Sequence, residues 1–210
     1  MTTQDLIVQR PATPSQLVLL FHGVGSSARD LAPLGEVLAS HLPHAAIVSV
    51  QAPEAWAPGW QWFSVRGVTE ADRPARVAAA MPGFVQAVRQ WQVACAVEPA
   101  RTTLIGFSQG AIMALESTQI ESPTSARVIA LSGRFARAPH VAPASVQVHL
   151  IHGDADPVMP VRLAVDASAQ LQGLGAQVTL DRFSGLGHGV DRRVVDAIVR
   201  RLEAALPASG

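Results

Sequence analysis

Thr102-Thr103-Leu104-Ile105-Gly106-Phe107-Ser108-Gln109-Gly110-Ala111-Ile112-Met113-Ala114-Leu115 is the stretch whose reading decides the fold. Its first four residues are a short β-branched and apolar run, as in a strand buried on both faces. Its last five form a short apolar helix pattern. Between them lies Gly106-Phe107-Ser108-Gln109-Gly110, a Gly-x-Ser-x-Gly motif. Alone the motif is weak, because ordinary abundances of Gly and Ser supply it about once in fifteen chains of this length. A strand leading in and a helix leading out make it specific, since a nucleophile elbow needs that setting. A serine on so sharp a turn requires neighbours without side chains, which Gly106 and Gly110 provide. The turn also leaves Ser108 at a helix N-terminus, where backbone N–H groups and the helix dipole favour developing negative charge.

Working outward, five more apolar runs bounded by turn residues read as buried strands: Leu17–Phe21, Ala46–Val50, Arg127–Leu131, Val146–Ile151 and Gln177–Phe183. Helical spacing lies between them. Leu31, Leu34 and Leu38 share one face of a first helix, and Val194, Ile198 and Leu202 one face of the last. Residues 72–97 read as helix, with Pro82 expected to kink or divide it. Ala111–Gln119 and Val161–Leu171 supply two more helices. Strands alternating with helices predict an α/β fold with a mostly parallel central sheet covered by helices on both faces. No repeat or long linker interrupts the chain, so residues 1–210 are expected to form a single domain with a frayed tail at 207–210. Residues 51–67 break the pattern. Pro53, Pro58, Gly59 and Gly67 predict a loop, and Trp56, Trp60, Trp62 and Phe63 stud it with aromatics that line either a site or a core edge.

Composition excludes several classes of function. Sixteen basic residues, all of them Arg, balance sixteen acidic ones, and they form no sustained stripe for nucleic acid. The apolar runs are far shorter than the ~20 residues of a membrane-spanning helix, and the N-terminus lacks a signal-peptide pattern. A cytoplasmic location is therefore expected. A lone cysteine, Cys95, permits no internal disulfide and is expected in the core. The mean hydropathy of +0.24 is high, which fits either an apolar groove or a homodimer interface.

A serine hydroxyl needs a base to take its proton. Of seven histidines, His188 stands apart. It follows the strand Gln177–Phe183, sits in Gly185-Leu186-Gly187-His188-Gly189 and precedes the last helix. Loops after strand C-termini converge on the site in such a sheet, so His188 is the expected base. His149 lies within a strand, and His22 and His152 precede glycines at strand ends, which suits structural roles. The imidazole needs a carboxylate, sought in chain order between Ser108 and His188. His152-Gly153-Asp154-Ala155-Asp156-Pro157 offers two. Pro157 restrains the backbone beside Asp156 and favours it, whereas Asp154 suits a turn. Phe21-His22-Gly23-Val24-Gly25-Ser26-Ser27 is similar to the glycine-rich loop that supplies one oxyanion N–H in lipases and esterases. That donor is read as Val24, with Gln109, the residue after the nucleophile, as the other.

Together these segments, with Val158-Met159-Pro160 after Pro157 and Gly187-His188, resemble the phospholipase/carboxylesterase family over residues 6–205. Gln61-Trp62-Phe63-Ser64-Val65-Arg66-Gly67 and Arg73-Pro74-Ala75-Arg76-Val77 look most like its YpfH-type bacterial branch. The resemblance implies an α/β-hydrolase fold with no cap domain and a triad of Ser108, Asp156 and His188. It also implies oxyanion donors at Val24 and Gln109, and hydrolysis of small acyl esters without a cofactor or metal. Only Gly133–Ser145 separates two strands, too little for a lid, and the open groove predicts short- to medium-chain esters. Trp60, Trp62, Phe63 and Met159 are the expected substrate contacts. Acyl thioesters and lysophospholipids are alternative substrates. A ligand-binding protein carrying the same triad is the rival of a different class.

Overall fold

The computed structural model describes residues 4–143 and 145–203. The strands are β1 Leu6–Gln9, β2 Gln16–Phe21, β3 Ala45–Val50, β4 Glu54–Trp56, β5 Gly59–Gln61, β6 Thr102–Phe107, β7 Arg127–Leu131, β8 Gln147–Gly153 and β9 Val178–Phe183. The α-helices are α1 Ala32–His41, α2 Arg73–Cys95, α3 Gln109–Glu116, α4 Arg162–Gly173 and α5 Arg192–Glu203. The six expected strands are present with ends within about two residues, the usual scatter of strand and helix boundaries. The expected tail at 207–210 lies outside the described residues.

One sheet runs in the order β1-β3-β2-β6-β7-β8-β9, and only the β1–β3 pair is antiparallel. Alternating side chains divide the core in two. Leu17, Leu19, Phe21, Leu104, Val128 and Leu150 face α2, α3 and α4. Val18, Leu20, Ile105, Ile129 and Ile151 face α1 and α5. A fully buried side chain of this kind contributes about 1.5–3 kcal/mol, so both helical layers are held chiefly by apolar burial. Cys95 is buried among the first set. Among the described residues no helix stands between β7 and β8, so no cap covers the sheet edge there.

Three elements depart from the expectations. Residues 6–9 form an antiparallel edge strand whose register breaks between Ile7 and Gln9. Short and half exposed, β1 carries little periodic signal. Pro82 does not divide α2, which runs unbroken from Arg73 to Cys95. The ring is exposed, while Val77, Met81, Phe84, Val88 and Trp91 anchor the helix on both sides of it. Packing thus offsets the backbone hydrogen bond that proline removes. The 51–67 segment is not wholly loop, because β4 and β5 form a hairpin within it.

The parallel register decides where chemistry collects. Phe21 pairs with Gly106, Phe107 with Leu131, Leu131 with Ile151 and Gly153 with Phe183. The C-terminal ends of β2, β6, β8 and β9 therefore open on the same edge, as expected of ligand-binding loops in open α/β sheets.

Candidate active site

Ser108 sits between β6 and α3 with φ 52° and ψ −112°, a strained conformation for a non-glycine residue. Such geometry costs about 1–3 kcal/mol and persists only where the surroundings enforce it. Here the Ser108 N–H donates to Leu131 O at 2.9 Å, and Ser108 O accepts from Ile112 N–H at 3.1 Å. The flanking glycines permit the close approach. A Cβ on Gly106 would stand 2.4 Å from Gly110 O, and one on Gly110 2.2 Å from Phe21 O.

The hydroxyl of Ser108 lies 3.0 Å from His188 Nε2, and His188 Nδ1 lies 2.7 Å from Asp156 Oδ2. This chain assigns the imidazole tautomer: Nδ1–H donates to the carboxylate, and Nε2 is left to accept from the serine. The Asp156 side chain is fully buried, and its other oxygen accepts from the N–H groups of Val158 at 2.9 Å and Met159 at 2.8 Å. Burial alone would push that carboxyl up. Hydrogen bonds from Met159, His188 and Val158, with the His188 charge, outweigh it and hold Asp156 below the usual carboxylate range. The carboxylate thus stays ionised, and its geometry is fixed on both oxygens. Asp154 takes a different place, accepting from Gly185 N–H at 2.7 Å on the exposed side of the turn.

The histidine loop is stitched to the end of β8. Asp154 N–H donates to Phe183 O and Ala155 N–H to Leu186 O, each at 3.0 Å. Gly153 makes this contact sterically feasible, since a Cβ there would lie 2.1 Å from Leu186 O. His152 is buried beneath the site and donates through Nε2 to Met159 O at 2.6 Å. Burial lowers its pKa, so it remains a neutral brace for the Asp156 turn. On the other flank the loop after β2 runs against the elbow, where a Cβ on Gly23 would lie 3.3 Å from Ser108 Cβ. The backbone N–H groups of Val24 and Gln109 donate to no acceptor among the described residues. Gln109 opens α3, where such unpaired N–H groups are expected.

The expected substrate contacts fare unevenly. Trp62 and Phe63 are each only 3 % exposed and pack in the core at the edge of a hollow. Trp62 packs edge-on to Phe21 and Phe84 at 5.4 and 5.6 Å between ring centres. The hollow of about 640 Å³ that they border lies against α2, and neither Ser108, Asp156 nor His188 lines it. Trp60 is half-buried beside Arg29 and Gln51. Met159 meets the site through its backbone. The sequence gives no role to the Gln109 side chain, the Trp62 indole N–H or Gly153, whereas the structural role expected of His22 at its strand end is met by its bond from Ala52 N–H. For Gly153 the one local signal was its place closing a strand, directly after His152.

A doubly layered, largely parallel sheet with this elbow, acid turn and histidine loop defines an α/β hydrolase. The sequence model of the phospholipase/carboxylesterase family matches residues 3–206, and the chain belongs to that family. Esterase YpfH of Escherichia coli is 44% identical over 210 residues, spanning 99% of this chain and 90% of that one. Acyl-protein thioesterase 1 of Neurospora crassa is 27% identical over 229 residues, spanning 96% and 91%. The crystal structure of esterase PE8 superposes with a TM-score of 0.84 at 30% identity, covering 95% of this chain and 97% of that one. The protein is accordingly a hydrolase. Among the described residues no helix is long and apolar enough to cross a membrane.

Proposed function

We propose that the protein is a serine carboxylesterase acting on short- to medium-chain carboxylic esters through an acyl-enzyme intermediate. The observation that carries this reading is the hydrogen-bonded line from Ser108 through His188 to Asp156, beginning on a strained turn. His188 Nε2 takes the hydroxyl proton as Ser108 Oγ attacks the ester carbonyl, and Asp156 stabilises the imidazolium so formed. The N–H groups of Val24 and Gln109 receive the negative charge of the tetrahedral oxygen, each worth about 3 kcal/mol. His188 then protonates the departing alcohol, leaving Ser108 acylated. Water, deprotonated by the same imidazole, attacks the acyl carbonyl and releases the acid. The chain's own groups and water supply every step.

The uncovered edge beside Ser108 favours small acyl esters over substrates that need a lid. The deciding experiment is turnover of p-nitrophenyl butyrate by wild type and Ser108→Ala. The variant should stay folded and lose kcat by roughly 10⁴–10⁶. Full activity in the variant would overturn the assignment, and no turnover by the wild type would favour a ligand-binding role. The named thioesterase relative supports a second reading, acyl-thioester hydrolysis on the same residues. Matched oxygen esters and thioesters across chain lengths separate the two.

A further inference from the structure

Val24 and Gln109 follow different strands, β2 and β6, so the span between their N–H groups depends on what ties the two loops together. The structure supplies such a tie at residues 60–63. Gln109 Oε1 accepts from Trp62 N–H at 2.7 Å, and Gln109 Nε2 donates to Phe63 O at 2.8 Å. From the same segment, the Trp62 indole N–H donates to His22 O at 2.8 Å. Trp60 O accepts from Gly25 N–H at 2.8 Å, and Trp60 N–H donates to Ser26 O at 2.9 Å. Both sides of Val24 are thereby tethered to the segment that the Gln109 carboxamide grips. His22 extends the tie, since its Nε2 accepts from Ala52 N–H at 3.1 Å.

We infer that the Gln109 side chain is a positioning residue. It acts through Trp62 and Phe63 to hold the Val24 and Gln109 N–H groups at the separation a tetrahedral oxyanion needs. The inference rests on the esterase reading above. The residue type is itself informative. Gripping an N–H and a C=O on adjacent residues takes an acceptor and a donor on one side chain, which a primary amide has. Gln109 is 2 % exposed, so its loss would strand a buried N–H and a buried C=O. Residues 60–63 thereby form a bracket behind the oxyanion loop.

The test compares Gln109→Met, which keeps the length and removes both bonds, with Trp62→Phe, which keeps an aromatic ring, loses part of its packing and removes, among hydrogen bonds, the one to His22 O. Kinetics with p-nitrophenyl butyrate are paired with binding of two probes. A trifluoromethyl ketone forms a reversible tetrahedral adduct on the serine, whereas butyrate reports ground-state binding. Positioning predicts that kcat falls about 10- to 100-fold in Gln109→Met, less than the loss of a whole donor. KM and butyrate affinity should stay within about twofold, and adduct affinity should fall in parallel with kcat/KM. Trp62→Phe should give the same pattern more weakly, and it carries the test if Gln109→Met does not fold. Folded variants that lose thermal stability but keep kcat and adduct affinity would overturn the inference. A wild type that neither turns over ester nor forms the adduct would remove the reading beneath it. That outcome is distinguishable because the wild type itself fails.

Discussion

His149 makes stability at mild acid pH a quantitative test of the packing. It lies in β8, 6 % exposed, with Nδ1 2.8 Å from Thr179 Oγ1 and Nε2 buried without a hydrogen-bond partner among the described residues. Burial, aided by the charges of Arg127 and Arg201 and opposed by Asp181, lowers its pKa from 6.5 to about 4. In the unfolded chain the imidazole takes up a proton as pH falls through 6.5, whereas the folded protein refuses it until about 4. The unfolded state therefore binds more protons in this window, and stability falls with falling pH. The gap is about 2.5 units, worth about 3 kcal/mol at 1.36 kcal/mol per unit. Most of the loss is reached by pH 4, and it levels off about a unit below the folded pKa. Glu116, raised by burial despite bonds from Ala136 and Arg137, acts with the opposite sign, and Asp156 acts at lower pH. Both contributions cancel when wild type is compared with His149→Gln. Urea unfolding at pH 7, 6, 5 and 4 should show the wild type losing about 3 kcal/mol more than the variant. Parallel losses in the two proteins would refute the argument.

Three further outcomes probe the site. Asp156→Asn should lower kcat on the order of 10³–10⁴-fold, because the amide cannot hold the imidazolium, as steady-state kinetics will measure. Asp154→Asn keeps an acceptor for Gly185 N–H and should change kcat by no more than about twofold. The reverse ranking would exchange the two roles. Gly153→Ala forces a methyl group against the Leu186 carbonyl, which no side-chain rotation relieves, and must displace the loop bearing His188. Its kcat should fall by about 10²-fold or more, and wild-type kcat would show the contact to be dispensable.

Much of the fold was legible because its strands are buried on both faces. Such strands appear as short apolar runs, as β2, β3, β6 and β7 do. His149 interrupts the run in β8, and the edge strand β9, only half-buried, carries Asp181 and Arg182 among its apolar residues. β1, half exposed at the edge and four residues long, lacked that contrast. The β4–β5 hairpin was hidden by prolines and glycines that also mark loops. Pro82 leaves α2 undivided because the buried apolar face of the helix outweighs the local propensity for a break.

The sequence by itself determined the order of the parts. A serine between two glycines after a buried strand, a carboxylate turn and a histidine loop each follow a strand, and parallel topology sends all three to one edge. Pro157 already favoured Asp156 over Asp154 in the sequence, but only the tertiary structure supplies the contact, with Asp156 2.7 Å from His188 Nδ1 and Asp154 turned to Gly185 N–H. It likewise turns Trp62 inward and joins Gln109 to residues 46 and 47 positions away. Contacts of that range leave no periodic trace in a chain, because they arise where separate loops meet. What sits behind the Val24 and Gln109 N–H groups was therefore the part of the site that folding alone could reveal.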